Sequence, residues 1–416
     1  MYRTRVVDSE LDEMLAAVGA VLIEGPRACG KTATGATRSR TAFRFDIDDA
    51  ARRTAEVAPS LLMQGDPPIL LDEWQLEPQL WNHVRRAVDD RSGEKGIFIL
   101  TGSATPSDNA SRHSGAGRIA ALRMRPMSLF ESGHSNGSVS LERLFTGAQE
   151  PAKGAGLEVT DVIDRIVTGG WPALQQDGPR TAARALRGYL DQISNVDLPA
   201  VGHRTRSPER IQRLLSTLAR NVATEARITQ ITADVAGADG TVTRSTVTND
   251  INGLARLMVL EDQPAWGPHL RSRTPAREAA KRHFTDPSLA VAAIRGTPER
   301  LLADLNWTGL LFESLAVRDL RVYSQPLGGL VSHFRNAKGL EVDAIVQLDD
   351  GRWAAFEVKL GQRAVDAAAE GLLKFANQID EVRTGTPAAL AVITATGMAY
   401  RRSDGVWVIP IDALGP

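Results

Sequence analysis

Cysteine is nearly absent: Cys29 is the one cysteine in 416 residues. No disulfide can form within the chain, and a reducing cytoplasm is the compartment that fits. Aromatic residues make up only 5% of the chain, and no apolar run approaches the length of a membrane span, so no membrane-embedded protein is expected. Met1-Tyr2-Arg3-Thr4-Arg5 leads into a polar helical pattern rather than a signal peptide. Net charge is -1, which leaves no global basic field for nucleic acid; any such site must be a local patch. Lysine is scarce too, with only Lys31, Lys95, Lys153, Lys281, Lys338, Lys359 and Lys374. A lysine at a motif position therefore carries extra weight. The remainder is ordinary for a globular protein, with 43% hydrophobic residues and chain enough for two or three domains.

Against that background one segment stands out. Gly25-Pro26-Arg27-Ala28-Cys29-Gly30-Lys31-Thr32 fits G-x-x-x-x-G-K-[ST], the P-loop pattern, after a strand-like Val21-Leu22-Ile23 and before a helical stretch. In that setting loop N–H groups and a helix N-terminus cradle phosphates, Lys31 pairs with the outer phosphates, and Thr32 holds magnesium. Pro68-Ile69-Leu70-Leu71-Asp72-Glu73 is an apolar run ending in two acids, as a buried parallel strand would end. Asp72 is expected to hold the magnesium and Glu73 to orient the attacking water. A third apolar run ends in Thr101-Gly102-Ser103, which places Ser103 beside the phosphates. Arg118, after a Ser/Asn/Gly-rich loop, is read either as a solvated arginine or as one reaching a phosphate of a neighbouring subunit.

Strands at 21–24, 43–47, 68–72, 96–101 and 119–124 alternate with helices at 8–18, 30–38 and 79–91. That alternation argues for α/β architecture with a doubly wound parallel sheet. Residues 132–159, rich in Gly and Ser, read as a linker. Helices at 208–222, 228–236 and 243–258, followed by a strand from Val259, describe a winged helix-turn-helix. Its third helix offers Thr243, Arg244, Thr248 and Asn249 outward. The wing, His269 to His283, carries Arg271, Arg273, Arg277, Lys281 and Arg282 against the single acid Glu278, the best local basic patch in the chain.

Toward the C-terminus, strands 340–348 and 352–360 flank Asp349-Asp350-Gly351. A three-residue loop there sets Asp343 opposite Glu357, with Lys359 two residues on along the same face. Facing carboxylates repel unless a cation separates them, so a divalent metal together with Lys359 is expected. Glu313, on the apolar face of a helix from about 303 to 321, is the third acid.

Glu313, Asp343 and Glu357-Val358-Lys359 resemble the PD-(D/E)xK, or restriction-endonuclease-like, core, in which acids hold magnesium and the lysine helps activate water. Further landmarks are Gly117-Arg118, Pro126-Met127-Ser128-Leu129-Phe130-Glu131, Gly169-Gly170-Trp171-Pro172 and Phe284-Thr285-Asp286. With these, nearly the whole chain resembles the prokaryotic AAA-type ATPases that carry a C-terminal domain of unknown function with a nuclease-like core. The resemblance implies ATP binding and hydrolysis and a winged helix between the ATPase and the nuclease-like part. The loop before Gly117-Arg118 departs from it, being long and lacking apolar character. The expected organisation is an ATPase core over 1–134, a linker and helical lid over 135–200, a winged helix over 201–300 and a nuclease-like domain over 301–416. The expected activity is a cytoplasmic Mg2+-dependent ATPase coupled to DNA binding and phosphodiester cleavage, with Mg2+ or Mn2+ at the acids and a homo-oligomer as a possible state. The alternative is a nucleotide-switched DNA-binding or assembly protein whose nuclease-like fold is inert.

Overall fold

The computed structural model describes residues 2–91, 93–102, 115–200, 207–237, 240, 242–269, 279–336 and 338–416. Five strands, β1 (Ala20–Glu24), β2 (Thr41–Arg44), β3 (Ile69–Asp72), β4 (Phe98–Gly102) and β5 (Ile119–Arg123), form an all-parallel sheet in the order β2-β3-β4-β1-β5. Successive residues point to opposite faces, and both faces are apolar. Leu22, Leu71, Phe98 and Leu100 pack with Trp74, Trp81 and Val84 on one side. Val21, Ile23, Leu70, Ile99 and Leu122 pack with Val7 and Leu11 on the other. The sheet is therefore covered on both faces, as a doubly wound sheet must be. Because β4 lies between β1 and β3, the ends Glu24, Gly102–Thr101 and Asp72 are ranked side by side at one edge.

Residues 132–159 are not a loose linker. β6 (Val139–Ser140) pairs with β14 (Leu414–Gly415), and β7 (Ala152–Lys153) pairs with β12 (Met398–Arg401). Buried Val139, Leu141, Leu144 and Phe145 anchor the segment, while its Gly and Ser residues make the turns between anchors. Asp412 fastens it further by accepting hydrogen bonds from the Gly156 and Leu157 N–H groups at 2.6 and 2.9 Å.

Helices Pro208–Arg220, Ile228–Ala236 and Arg244–Arg256 bury Ile211, Leu214, Leu218, Ile231, Val247 and Leu254 against one another. An antiparallel ribbon follows, with Leu260 opposite Phe284 and Gln263 opposite Lys281. The C-terminal part opens with helix Leu305–Ser324, continues through β8 (Leu330–Arg335), β9 (Glu341–Gln347) and β10 (Trp353–Lys359), and returns through helix Val365–Ala376 to β11 (Ala389–Thr394). With β13 (Trp407–Pro410) the sheet runs β7-β12-β13-β11-β10-β9-β8. β9 and β10 pair with Gln347 opposite Trp353 and Ala344 opposite Phe356, the register of a three-residue loop.

A buried charged junction holds these parts together. Asp286 accepts from Arg318 Nη1 at 2.8 Å and from the Gly170 N–H at 2.9 Å; Asp319 accepts from Arg318 and from the Leu129 N–H. Near it Arg5 donates to Glu131 and to the Cys29 carbonyl, tying the N-terminus to both the P-loop and the segment after β5. Buried charges persist only where each is paired and hydrogen-bonded, and these are.

Candidate functional site: a nucleotide-type loop and a lysine-bridged acid cluster

The segment 25–32 leaves β1 and turns into helix Lys31–Ala36. Two glycines are required. A Cβ on Gly25 would lie 2.3 Å from the Met124 carbonyl oxygen, and Gly30 caps the helix at φ 110°, a left-handed conformation. Ala28 also has positive φ, at 61°. Lys31 is buried and donates Nζ to the Gly25 and Pro26 carbonyls at 3.0 and 2.8 Å. Its charge thus sits in the concavity of its own loop. Thr32 Oγ1 donates to Asp72 Oδ1 at 2.8 Å, and Thr101 Oγ1 donates to the same oxygen. The structure therefore brings Lys31, Thr32 and Asp72 to one edge of the sheet.

Glu73 directly follows and has φ 54°, a strained conformation for a glutamate, with Gln75 donating to its carboxylate. Ser103 lies outside the described residues; Thr101, two positions earlier on β4, is the hydroxyl that meets Asp72. Arg118 lies elsewhere. It enters β5 at the end opposite the loop, where β1 and β5 pair Ala20 with Ile119, and it bonds Asp89 at 2.8 Å. At about 3.3 Å per residue along β1, the six residues from its level to Gly25 put it some 20 Å from the loop of its own chain.

Two contacts to the loop carried no sequence signal. Arg27 pairs with Asp197 at 2.7 Å, and Asp197 ends a turn of π-helix, Ile193–Asp197, after helix Pro179–Gln192. Burial raises the Asp197 carboxyl above its usual range while Arg27 opposes the shift. Tyr189, tilted against Trp171 with ring centroids 5.1 Å apart, is pushed up by burial, with the Cys29 thiol and Asp197 nearby. Cys29 itself is buried, its Sγ 3.9 Å from the Met124 carbonyl oxygen. It packs the loop.

At the second cluster, Asp343 and Glu357 stand one residue beyond the last β9–β10 pair, Ala344 with Phe356, and lysines lie between the acids. Lys281 Nζ is 2.7 Å from Glu313 and 3.5 Å from Asp343; Lys359 Nζ is 3.1 Å from Asp343 and 2.5 Å from Glu357. Among the described residues no group of three or more His, Cys, Asp or Glu side chains is gathered to hold a metal ion. Where a divalent cation was expected, at Glu313, Asp343 and Glu357, the structure places two ammonium groups. Three carboxylates share two lysines, so the cluster is neutral only with one proton retained. Burial, then the charge of Asp343, pushes Glu313 up to about 8 and Glu357 up to about 7. Asp343 is held low by Lys281, Lys359 and the Val358 N–H, which outweigh its desolvation. The same carboxylates hold both lysines charged against burial.

Lys281 belongs to the expected wing patch, and its place is a correction. It is 6% exposed and pairs with the acids, and Arg282 pairs with Asp262, so neither offers a free cation to DNA. Arg271, Arg273 and Arg277 lie outside the described residues, as does Glu278. Gln263, on the facing strand of the ribbon, donates to the Ser332 and Asp343 carbonyls at 3.1 and 3.0 Å, and His283 bridges it to Ser314. Burial keeps His283 neutral, far below its usual range. The ribbon is therefore docked on the acid cluster. The scarcity of lysine was the one sequence signal that pointed at Lys281.

No described helix is long and apolar enough to cross a membrane. Residues 18–132 match a family described as an AAA domain; residues 159–300 match a domain of unknown function (DUF8612), and residues 308–414 another (DUF4143). No curated protein matches the chain. Similar solved structures include the Walker-type ATPase PABY2304 of Pyrococcus abyssi, 13% identical with a TM-score of 0.41, covering 69% of this chain and 94% of that one. A structure of Drosophila ORC bound to DNA is 11% identical with a TM-score of 0.20, covering 66% of this chain and 89% of that one. By the family match over 18–132 and the geometry of the loop together, this part of the chain is similar to AAA domains.

Proposed function

We propose that the chain is a magnesium-dependent ATPase whose nucleotide state is passed to a DNA-directed C-terminal half. The observation that carries this reading is the meeting of Thr32 Oγ1 and Asp72 Oδ1 at 2.8 Å, at the lip of a loop filled by Lys31. A hydroxyl and a carboxylate are the hard oxygen donors that magnesium takes, so Thr32 and Asp72 would hold it. Bound magnesium would supply charge neutralisation across the outer phosphates. Lys31 leaves the Gly25 and Pro26 carbonyls to pair with phosphate, and the backbone N–H groups of 27–31 bind the remaining oxygens. Glu73 orients the attacking water from the end of β3. Arg118, remote from its own loop, serves only a neighbouring copy, which makes a homo-oligomer part of the proposal.

Three helices and an antiparallel ribbon support a winged-helix reading of 201–300, with Thr243, Arg244 and Asn249 exposed on the third helix. A helix, three strands, a helix and a strand, with the acids on the second and third strands, support a PD-(D/E)xK-like reading of the C-terminal part. Lys281, standing between Glu313 and Asp343, favours the non-cleaving form of that reading. The C-terminal half then binds or assembles, and ATP switches it.

The test measures nucleotide affinity and phosphate release for the parent, Lys31→Ala and Glu73→Gln. Lys31→Ala loses turnover and binds nucleotide weakly; Glu73→Gln binds normally and does not turn over. A parent that releases no phosphate with magnesium, or a Glu73→Gln variant with normal turnover, removes the ATPase mechanism. Plasmid nicking with magnesium or manganese, with and without ATP, is expected to be absent, and its appearance restores cleavage.

A further inference from the structure

On helix Pro179–Gln192, Arg180, Arg184 and Arg187 are spaced four and three residues apart, so they share one face. Three adjoining clefts of about 500, 560 and 440 Å³ run beside that face. The first two share Arg184 and Arg187, and the last two share Gly296. Arg295 and Arg300 enter from the segment after helix Pro287–Ala293, and Arg220 from the end of helix Pro208–Arg220. Six arginines thus line one continuous groove against three acids, Asp191, Glu299 and Asp304.

The acids do little to balance them. Glu299 pairs with Arg180 at 3.4 Å, with both side chains exposed; Asp191 accepts from Gln212; Asp304 caps the Trp307 N–H. Arg184, Arg187, Arg220 and Arg295 have no carboxylate within ion-pair distance among the described residues. Elsewhere Arg5, Arg27, Arg38, Arg118, Arg125 and Arg318 each find one. Like charges four residues apart on a helix are destabilising, so an unbalanced row of this kind is relieved by an anion from outside.

We propose that this groove binds the phosphodiester backbone of a nucleic acid. Arg180 to Arg187 spans about 10 Å of helix, the axial rise of roughly three successive phosphates on one strand. Guanidinium groups are the side chains best shaped for phosphate oxygens. One wall is helix Pro208–Arg220, the first of the three-helix unit, so the groove is continuous with the region read as DNA-directed, and the proposal rests on that reading. The groove contacts backbone alone and adds affinity without sequence preference.

The test uses the full chain, a short fluorescein-labelled duplex of random sequence, and anisotropy titrations over a range of salt concentrations. Two variants are compared with the parent: Arg184→Ala/Arg187→Ala/Arg295→Ala, and Arg244→Ala/Asn249→Ala on the third helix. Arg184 and Arg295 are exposed and Arg187 is half-buried, and unchanged melting temperatures establish that the variants fold. The groove variant is expected to flatten the slope of log affinity against log salt by about 2.7, or 0.9 per lost phosphate contact. A single-stranded probe is expected to show a loss of about 2.1, at 0.7 per contact. A parent that binds duplex while the groove variant keeps the parental slope overturns the groove and leaves the DNA-directed reading standing, the third-helix variant then locating the site. A parent that binds neither probe in any nucleotide state overturns both.

Discussion

Lys281→Met is the most discriminating perturbation of the acid cluster. The methionine keeps the buried aliphatic stem and deletes the ammonium group that lies 2.7 Å from Glu313 and 3.5 Å from Asp343. Removing one partner of a buried pair leaves uncompensated charge and costs about 3–5 kcal/mol. The cluster can reduce that cost by taking up a proton, so the loss depends on pH. Glu313 in the folded parent titrates at about 8, above its ordinary 4.5. Its preference for the protonated form stabilises the fold fully below the ordinary value, and that contribution is lost as pH rises through about 8. Its upper limit, at 1.36 kcal/mol per pKa unit, is about 5 kcal/mol. Glu357, at about 7, acts in the same direction over a lower window. Below about pH 6 Glu313 is mostly neutral in parent and variant alike, and the loss falls to about 1–2 kcal/mol, that of a hydrogen bond plus the weaker contact with Asp343. Near pH 9 the parent's glutamates are ionised, and the variant must either ionise them without Lys281 or hold a proton against the pH, so the full loss is expected. Urea unfolding followed by tryptophan emission at several pH values measures it, and a cycle with Glu313→Leu isolates the pair. Adding manganese is expected to raise the unfolding free energy of Lys281→Met and not that of the parent, by about 2.7 kcal/mol at a hundredfold excess over Kd. A loss of the same size at every pH, or no loss near pH 9, refutes the charge argument and reduces Lys281 to packing.

Asp343→Asn tests the opposite sign in the same cluster: Asp343 is held below its usual range, so its stabilisation is present above about pH 4 and is lost as pH falls through the depressed value. The variant is expected to be less stable than the parent at neutral pH, and a more stable variant points back to carboxylate repulsion. Asp197→Asn breaks the tie from the π-helical turn to Arg27 and is expected to change nucleotide affinity; an unchanged affinity disconnects the turn from the loop. Arg318→Met leaves Asp286 and Asp319 buried without their cation and is expected to cost about 3–5 kcal/mol, read as a fall in the urea midpoint. A wild-type midpoint removes the junction from the stability of the fold.

Local chemistry was legible in the sequence because it depends on residues close together in the chain. Gly25, Gly30, Lys31 and Thr32 lie within eight positions, and the backbone of a loop between strand and helix fixes their geometry. The five parallel strands followed from apolar runs of the right length, and the three-residue loop between β9 and β10 followed from its turn composition. What the sequence could not supply was the neighbour of each charged group. Lys281 reads as a wing cation because its chain neighbours are basic, yet the ribbon turns it into a cluster whose acids come from residues 313, 343 and 357. Asp197 meets Arg27 across 170 positions, and residues 139–153 look like a linker until strands near the C-terminus pair with them. Whether two carboxylates hold a metal or a lysine depends on which cation reaches them at about 3 Å, and separation in space at that scale is set by packing, not by order along the chain. The sequence by itself determined the elements and the loop chemistry; tertiary structure decided the charge partners, because Coulomb energy and desolvation depend on distance and burial alone.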